Sequence, residues 1–207
     1  MKKGFQGVLA LGGLMLAGCA PAQMGSMGGM GAGRLDVAQP ATSVGAGSLT
    51  LSSAQFVNGG TLGQEQVGSG NGCTGQNVSP SLSWSGAPAG TVSYVLTTYD
   101  PDAPTGSGFW HWITYNIPAS ATSLPKGAGA GGAGLPAGAV LANNDGGTPG
   151  YTGACPPPGD KPHRYIFTLY ALNKTLALPQ GASPAFVGFN LNGAALAKTS
   201  ITAFYGR

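Results

Sequence analysis

Two histidines are the only imidazoles in the chain, and each stands beside a strand-like run: His111 between Trp110 and Trp112, and His163 before Arg164 and Tyr165. The segment DPDAP at 100–104 holds Asp100 and Asp102, two of only six acids. Imidazole N–H groups and the free amides of a turn donate to the oxygens of an anion. An aspartate can accept from an ammonium or orient a histidine. Proline pushes the residue before it to extended geometry, so Pro101 and Pro104 stiffen the acidic loop, and Pro156, Pro157 and Pro158 do the same ahead of His163. Stiff loops on a sheet scaffold are where binding side chains are held.

The same residue types also suit acid–base or metal chemistry, but the rest of the sequence argues for binding without turnover. No G-x-S-x-G nucleophile turn and no P-loop occurs. A G-x-G-x-x-G at Gly127, Gly129 and Gly132 lies in a Gly and Ala run without a βαβ unit around it, and reads as loop. Structural zinc needs four close Cys or His ligands, and neither C-x-x-C nor H-x-x-x-H appears, so no metal and no cofactor is expected. Cys73 and Cys155 remain a candidate disulfide, the alternative being two free thiols near a pocket.

These residues need strands to position them. TVSYVLTTY at 91–99 alternates, with Val92, Tyr94, Leu96 and Thr98 on one face and Ser93, Val95, Thr97 and Tyr99 on the other, which suits a central strand. WHWITYNI at 110–117 and RYIFTLYAL at 164–172 complete the core strands, with Tyr165, Phe167 and Leu169 on one side of the latter. On a period of two, His111 shares a face with Ile113, Tyr115 and Ile117. Shorter strands are expected at 49–56, 81–84 and 200–205, and a short helix at 191–198. Two packed antiparallel sheets would bury such strands.

Composition agrees. The 207 residues include 38 Gly and 16 Pro, and charged residues make up only 7% against roughly 25% in ordinary globular chains. Long salt-bridged helices are excluded, and turns between short strands are the natural use of the Gly and Pro. The formal charge is +3 with no basic stripe, which argues against a nucleic-acid partner.

Met1, Lys2 and Lys3 followed by the apolar run 4–16 have the layout of an export signal. That run would extend about 20 Å as a helix against a hydrocarbon core of ~30 Å. Leu16, Ala17, Gly18 and Cys19 resemble the bacterial lipobox, in which the cysteine is acylated and becomes the first residue. Ala20 in the next position resembles lipoproteins passed to an outer membrane. The expected organisation is a leader at 1–18, a Gly-, Ala- and Met-rich tether at 19–47 and one domain at 48–207, held at the bacterial cell envelope by a lipid anchor. Met24, Met27 and Met30 stand in a Gly-rich low-complexity stretch and read as linker rather than as a copper site.

The stretches TTYDPDAPTGSGFWHWITYNIP (97–118) and PGYTGACPPPGDKPHRYIFTLYAL (149–172) resemble the two signature blocks of the phosphatidylethanolamine-binding protein family, in its bacterial Raf kinase inhibitor-like branch. NGCTGQNVSPSLSWSGAPAG (71–90) and ITAFYGR (201–207) are similar to it as well. The resemblance implies an all-β fold: a two-sheet antiparallel β-sandwich with a Greek-key element and small peripheral helices. It also implies an anion pocket lined by Asp100, Asp102, His111, Pro157, His163 and Tyr165. The partners implied are a small anionic ligand or a phospholipid headgroup, with a protein-interaction role such as protease inhibition as the alternative and phosphoester hydrolysis as a third reading. The loop after Pro104 is short and no helical extension follows ITAFYGR, so roles tied to such parts in the animal proteins, kinase regulation included, are not expected to carry over.

Overall fold

The computed structural model describes Met1, Gly4, Pro40, Ala41 and residues 44–207. The chain divides into two units, Met1–Gly33 and Arg34–Arg207, and the fold described below is that of the second. The expected leader, the lipobox at Cys19 and the methionines of the tether lie outside the described residues. Pro40, Ala41 and residues 44–47 fall within the stretch expected as tether, yet Ala41 is buried and its N–H donates to Asn192 Oδ1 at 3.1 Å. The Lys198 N–H likewise donates to the Gly45 carbonyl at 3.0 Å, so packing begins upstream of residue 48.

Nine strands and one helix follow. They are β1 (Thr50–Ser53), β2 (Gly60–Thr61), β3 (Leu82–Ser85), β4 (Ser93–Asp100), β5 (Phe109–Pro118), β6 (Ser123–Leu124), β7 (Val140–Leu141), β8 (His163–Leu172), α1 (Pro184–Leu191) and β9 (Ala195–Tyr205). One sheet has the order β1-β3-β6, the other β2-β9-β8-β4-β5-β7. The neighbours are antiparallel, as expected of this two-sheet β fold, except β2 with β9, a two-residue parallel pair.

Every residue of β4 is buried, as its two apolar faces require. Tyr94 and Leu96 join Leu82, Trp84, Phe167 and Leu169 in the core between the sheets. Val95 faces the opposite side with Ile113, Tyr115, Tyr170 and Leu172, and there Val187 and Leu191 of α1 cover the sheet.

The helix lies earlier than expected. The Ser183 hydroxyl accepts from the Phe186 N–H at 3.2 Å and Pro184 opens the first turn, a start signal for the helix. Gly193, with φ of +74°, follows its end. Of the run expected as helix at 191–198, Leu191 closes α1, residues 192–194 form a turn and Ala195–Lys198 form the first part of β9, where the ladder with β8 from Leu172 to His163 outweighs local propensity.

His111 does not follow a simple period of two. Thr98 pairs with Trp112 but Tyr99 pairs with Trp110, so His111 is the extra residue of a bulge. A second shift falls between the pairs Tyr94–Ile117 and Leu96–Thr114, where Asn116 has φ of +56°. Ile113 and Tyr115 therefore lie in the helix-covered core, Ile117 lies in the core between the sheets, and His111 turns to the ring of Tyr165.

Candidate functional site

The end of β4, the bulge in β5 and the start of β8 meet at one edge of the six-stranded sheet. Asp100 is the last residue of β4 and is buried, as is His163, the first residue of β8. His163 Nδ1 lies 2.7 Å from Asp100 Oδ2, a charge-assisted hydrogen bond with the imidazole donating. His163 Nε2 faces Asp160 Oδ2 at 3.5 Å, so both ring nitrogens point at carboxylates. The other oxygen of Asp100 accepts the Asp102 N–H at 2.8 Å, which closes the proline-stiffened turn.

His111 is 6% exposed. Its Nδ1 lies 2.7 Å from the Thr152 carbonyl, which can only accept, so Nδ1 carries the proton and Nε2 is the nitrogen left for other chemistry. Nε2 stands 4.0 Å from Asp100 Oδ2, beyond hydrogen-bond distance. Burial holds the imidazole below its ordinary pKa. The Thr152 carbonyl and the Asp100 charge oppose that shift, and His163 adds to it. Its ring packs against Phe109, with centroids 4.8 Å apart, and Tyr165, at 5.1 Å. Burial also raises the Tyr165 phenol far above its usual range, so it stays protonated, and its hydroxyl is buried without a hydrogen-bond partner.

These groups line a cavity of about 220 Å³. Of the six residues expected in a pocket, Asp100, His111, Pro157, His163 and Tyr165 border it. Asp102 does not. Its carboxylate takes the Arg164 backbone N–H at 2.9 Å and forks with the guanidinium, Nε at 2.9 Å and Nη2 at 2.8 Å. It thus fixes β8 against the 100–104 turn rather than facing a ligand.

Other residues of the site carry no chemical flag in the sequence. Phe109, Thr152 and Asn71 border the cavity, Thr152 contributing the carbonyl that sets the His111 tautomer. Arg207 reaches three carbonyls of the rim: Pro156 O from Nε at 2.6 Å, Gly72 O from Nη1 at 2.7 Å and Asn71 O from Nη2 at 3.2 Å. The one available signal was an arginine closing a family-like segment, since a guanidinium offers five donors in a fixed fork. Cys73 and Cys155 are bonded to each other with Cα atoms 5.9 Å apart, tying the same two loops. Among the described residues no group of three or more His, Cys, Asp or Glu side chains is arranged to hold a metal ion.

The cavity thus presents one imidazole nitrogen with no partner at hydrogen-bond distance, His111 Nε2, and a carboxylate already satisfied on both oxygens. Lys and Arg are absent from its walls. Such a hollow suits a compact polar group.

Over residues 52–206 the chain matches the family described as phosphatidylethanolamine-binding protein. It is 50% identical over 163 residues to UPF0098 protein YbcL of Escherichia coli (strain K12), covering 77% of this chain and 88% of that one. To UPF0098 protein YbhB of the same organism it is 47% identical over 158 residues, 76% of this chain and 99% of the relative. The crystal structure of Escherichia coli YbcL, described as a new member of the mammalian PEBP family, is similar with a TM-score of 0.75 at 48% identity, covering 77% of this chain and 99% of that one. A Mycobacterium tuberculosis (strain ATCC 25618 / H37Rv) protein named "Putative lipoprotein LppC" is 39% identical over 135 residues, 65% of this chain and 61% of the other.

Proposed function

The chain belongs to the phosphatidylethanolamine-binding protein family, and from that premise we propose that its cavity binds a small anionic or phosphorylated group, without turnover, on a domain anchored at the bacterial cell envelope. One observation carries the binding reading: residues remote in sequence, Asp100, His111, Pro157, His163 and Tyr165, border one small hollow. The Asp100 carboxylate orients His163 within it. A volume of about 220 Å³ accommodates a headgroup-sized molecule and leaves no room for a pair of acyl chains. The envelope reading is supported by the lipobox-like LAGC ending at Cys19 and by the name of the mycobacterial relative.

The test is a titration of the full chain with inorganic phosphate, following the ring signals of His111 and His163 by NMR. Saturable shifts of both imidazoles are expected in the unaltered chain, with the His163 shift lost in His111→Ala. Rings that ignore phosphate, while the protein remains folded by circular dichroism, would overturn the binding reading. Release of nitrophenolate from nitrophenyl phosphate that disappears in His163→Ala would overturn the absence of turnover.

A further inference from the structure

Resting on the anchoring reading above, we propose that α1 and the groove beside it are the face this domain lays against the membrane, and that the surface it fits is a zwitterionic phospholipid bilayer rather than an anionic one. The helix buries Val187 and Leu191 against the sheet and turns Phe186 and Phe189 outward, 45% and 73% exposed. Three positions apart, the two rings lie on one side of α1. They are the exposed aromatic side chains among the described residues, and α1 carries no charged residue. Phe189 also lines a groove of about 520 Å³ with Trp110, Pro40 and Pro184. Trp110 is half-buried, its ring packed on Tyr99 with centroids 4.4 Å apart. A contiguous apolar surface built from Phe and Trp is the kind that settles into the boundary between headgroups and acyl chains.

The occupant follows from where the chain enters the domain and from charge. Pro40 packs on Gly188 of α1, where a Cβ would stand 3.0 Å from Pro40 Cγ. The Pro40 carbonyl accepts from Lys198 Nζ at 3.3 Å, and the Ala41 N–H donates to Asn192 Oδ1 at 3.1 Å. The entry point is thus fastened to the end of α1 and to β9. Residues 20–39 stand between Pro40 and Cys19 and span at most about 70 Å when fully extended. An acylated Cys19 therefore keeps the domain within that reach of the lipid, and the side from which the chain leaves turns to the bilayer with the least chain. At the millimolar effective concentration of a short link, contacts too weak to hold a free protein suffice. Asp145 is the charged side chain lining the groove, its Oδ2 accepting the Trp110 N–H at 2.8 Å, and no Lys or Arg lines it. A carboxylate among aromatic rings repels an anionic surface and accepts the ammonium of a zwitterionic headgroup.

The test uses the full chain carrying Cys19→Ser, so that no acyl chain contributes, mixed with phosphatidylcholine vesicles whose acyl chains are brominated. Bromine quenches tryptophan on contact, and because Trp84 and Trp112 are buried the signal reports Trp110. Saturable quenching in the millimolar lipid range is expected, weaker than the ~10⁴ M⁻¹ of a single acyl chain and so reversed by dilution. Phe186→Ser and Phe189→Ser are each expected to weaken it roughly fivefold to tenfold while circular dichroism is unchanged, since both side chains are exposed. Adding phosphatidylglycerol to the vesicles should weaken binding of this chain, and a further Asp145→Asn should remove that sensitivity. Absence of quenching, quenching that ignores both phenylalanine variants, or tighter binding to the anionic vesicles overturns the inference. Self-association lost in Phe189→Ser, with vesicles ignored, assigns the face to a second copy of the chain and overturns it as well. The anchoring reading fails separately: quenching as expected, with no fatty-acid labelling of the unaltered chain at Cys19, removes the anchor and leaves the membrane face.

Discussion

His111 couples the fold to acidity. Burial holds its folded-state pKa below the ordinary 6.5, so between those two values the unfolded chain binds more protons than the native one. Stability therefore rises with pH across that window: the contribution of the neutral ring is fully present above about pH 6.5 and is lost as pH falls toward the folded value. Thermal melts between about pH 5 and pH 7 should show a lower Tm at the acid end, with a shallower slope in His111→Gln. An unchanged slope in the variant would remove this role. Asp102 calls for a different experiment. Asp100 and Asp102 are alike in the sequence, and the first borders the cavity while the second forks with Arg164, a side chain 21% exposed. Asp102→Asn is expected to cost about 1–2 kcal/mol in denaturant unfolding, since the pair is only partly screened, and to leave phosphate affinity within about twofold. A large loss of affinity would return Asp102 to the ligand. At this scale the sequence was informative wherever the chemistry belongs to a side-chain type, as for the two imidazoles and Asp100. It was silent where the chemistry belongs to the backbone: the Thr152 carbonyl and the three carbonyls under Arg207 are acceptors that any residue could supply.

The strands around the site were legible because β4, β5 and β8 combine β-branched and aromatic residues over eight to ten positions, a pattern that burial on both faces reinforces. Their irregularities were not. A bulge is decided by what the neighbouring strand requires, and two of them in β5 re-aim His111 and reverse the alternation before Ile117. The helix was misplaced for a related reason: Ala195–Lys198 favours helix locally, and the partner that overrides it, β8, is distant in sequence. Asn116 holds the second bulge. It adopts φ of +56°, its Nδ2 donates to the Leu176 carbonyl at 3.0 Å and its Oδ1 accepts the Leu176 N–H at 2.7 Å. Asn116→Val places a β-branched residue in the left-handed region and removes both bonds, so a loss of more than about 2 kcal/mol is expected from urea unfolding. Asn116→Gly relieves the backbone strain but still loses the bracket, and should fall between valine and wild type. A valine variant as stable as wild type would show that the bulge tolerates other geometry.

At the scale of the molecule, the site edge of the sheet sandwich is locked twice. The Cys73–Cys155 bond and the Arg207 guanidinium both tie the 71–73 loop to the 155–156 loop, so one lock persists when the other is opened. The proposed anchoring of this domain is a question about Cys19. Among the described residues no helix is long and apolar enough to cross a membrane. In the lipobox reading, membrane attachment rests on acyl chains at Cys19. A single acyl chain gives only marginal, reversible binding, with K of about 10⁴ M⁻¹, whereas the two chains of a diacylglycerol hold firmly. Replacing the thiol removes the site of attachment of that diacylglycerol and leaves the domain's own residues unchanged. Cys19→Ser, expressed in a bacterium that processes lipoproteins, should therefore shift the protein from the membrane pellet to the soluble envelope extract and abolish labelling by a fatty-acid probe. Its purified domain should bind inorganic phosphate as the unaltered chain does, because every residue bordering the cavity lies at or beyond Asn71. Retention of Cys19→Ser in the pellet after a high-salt wash would show that another part of the chain carries the attachment.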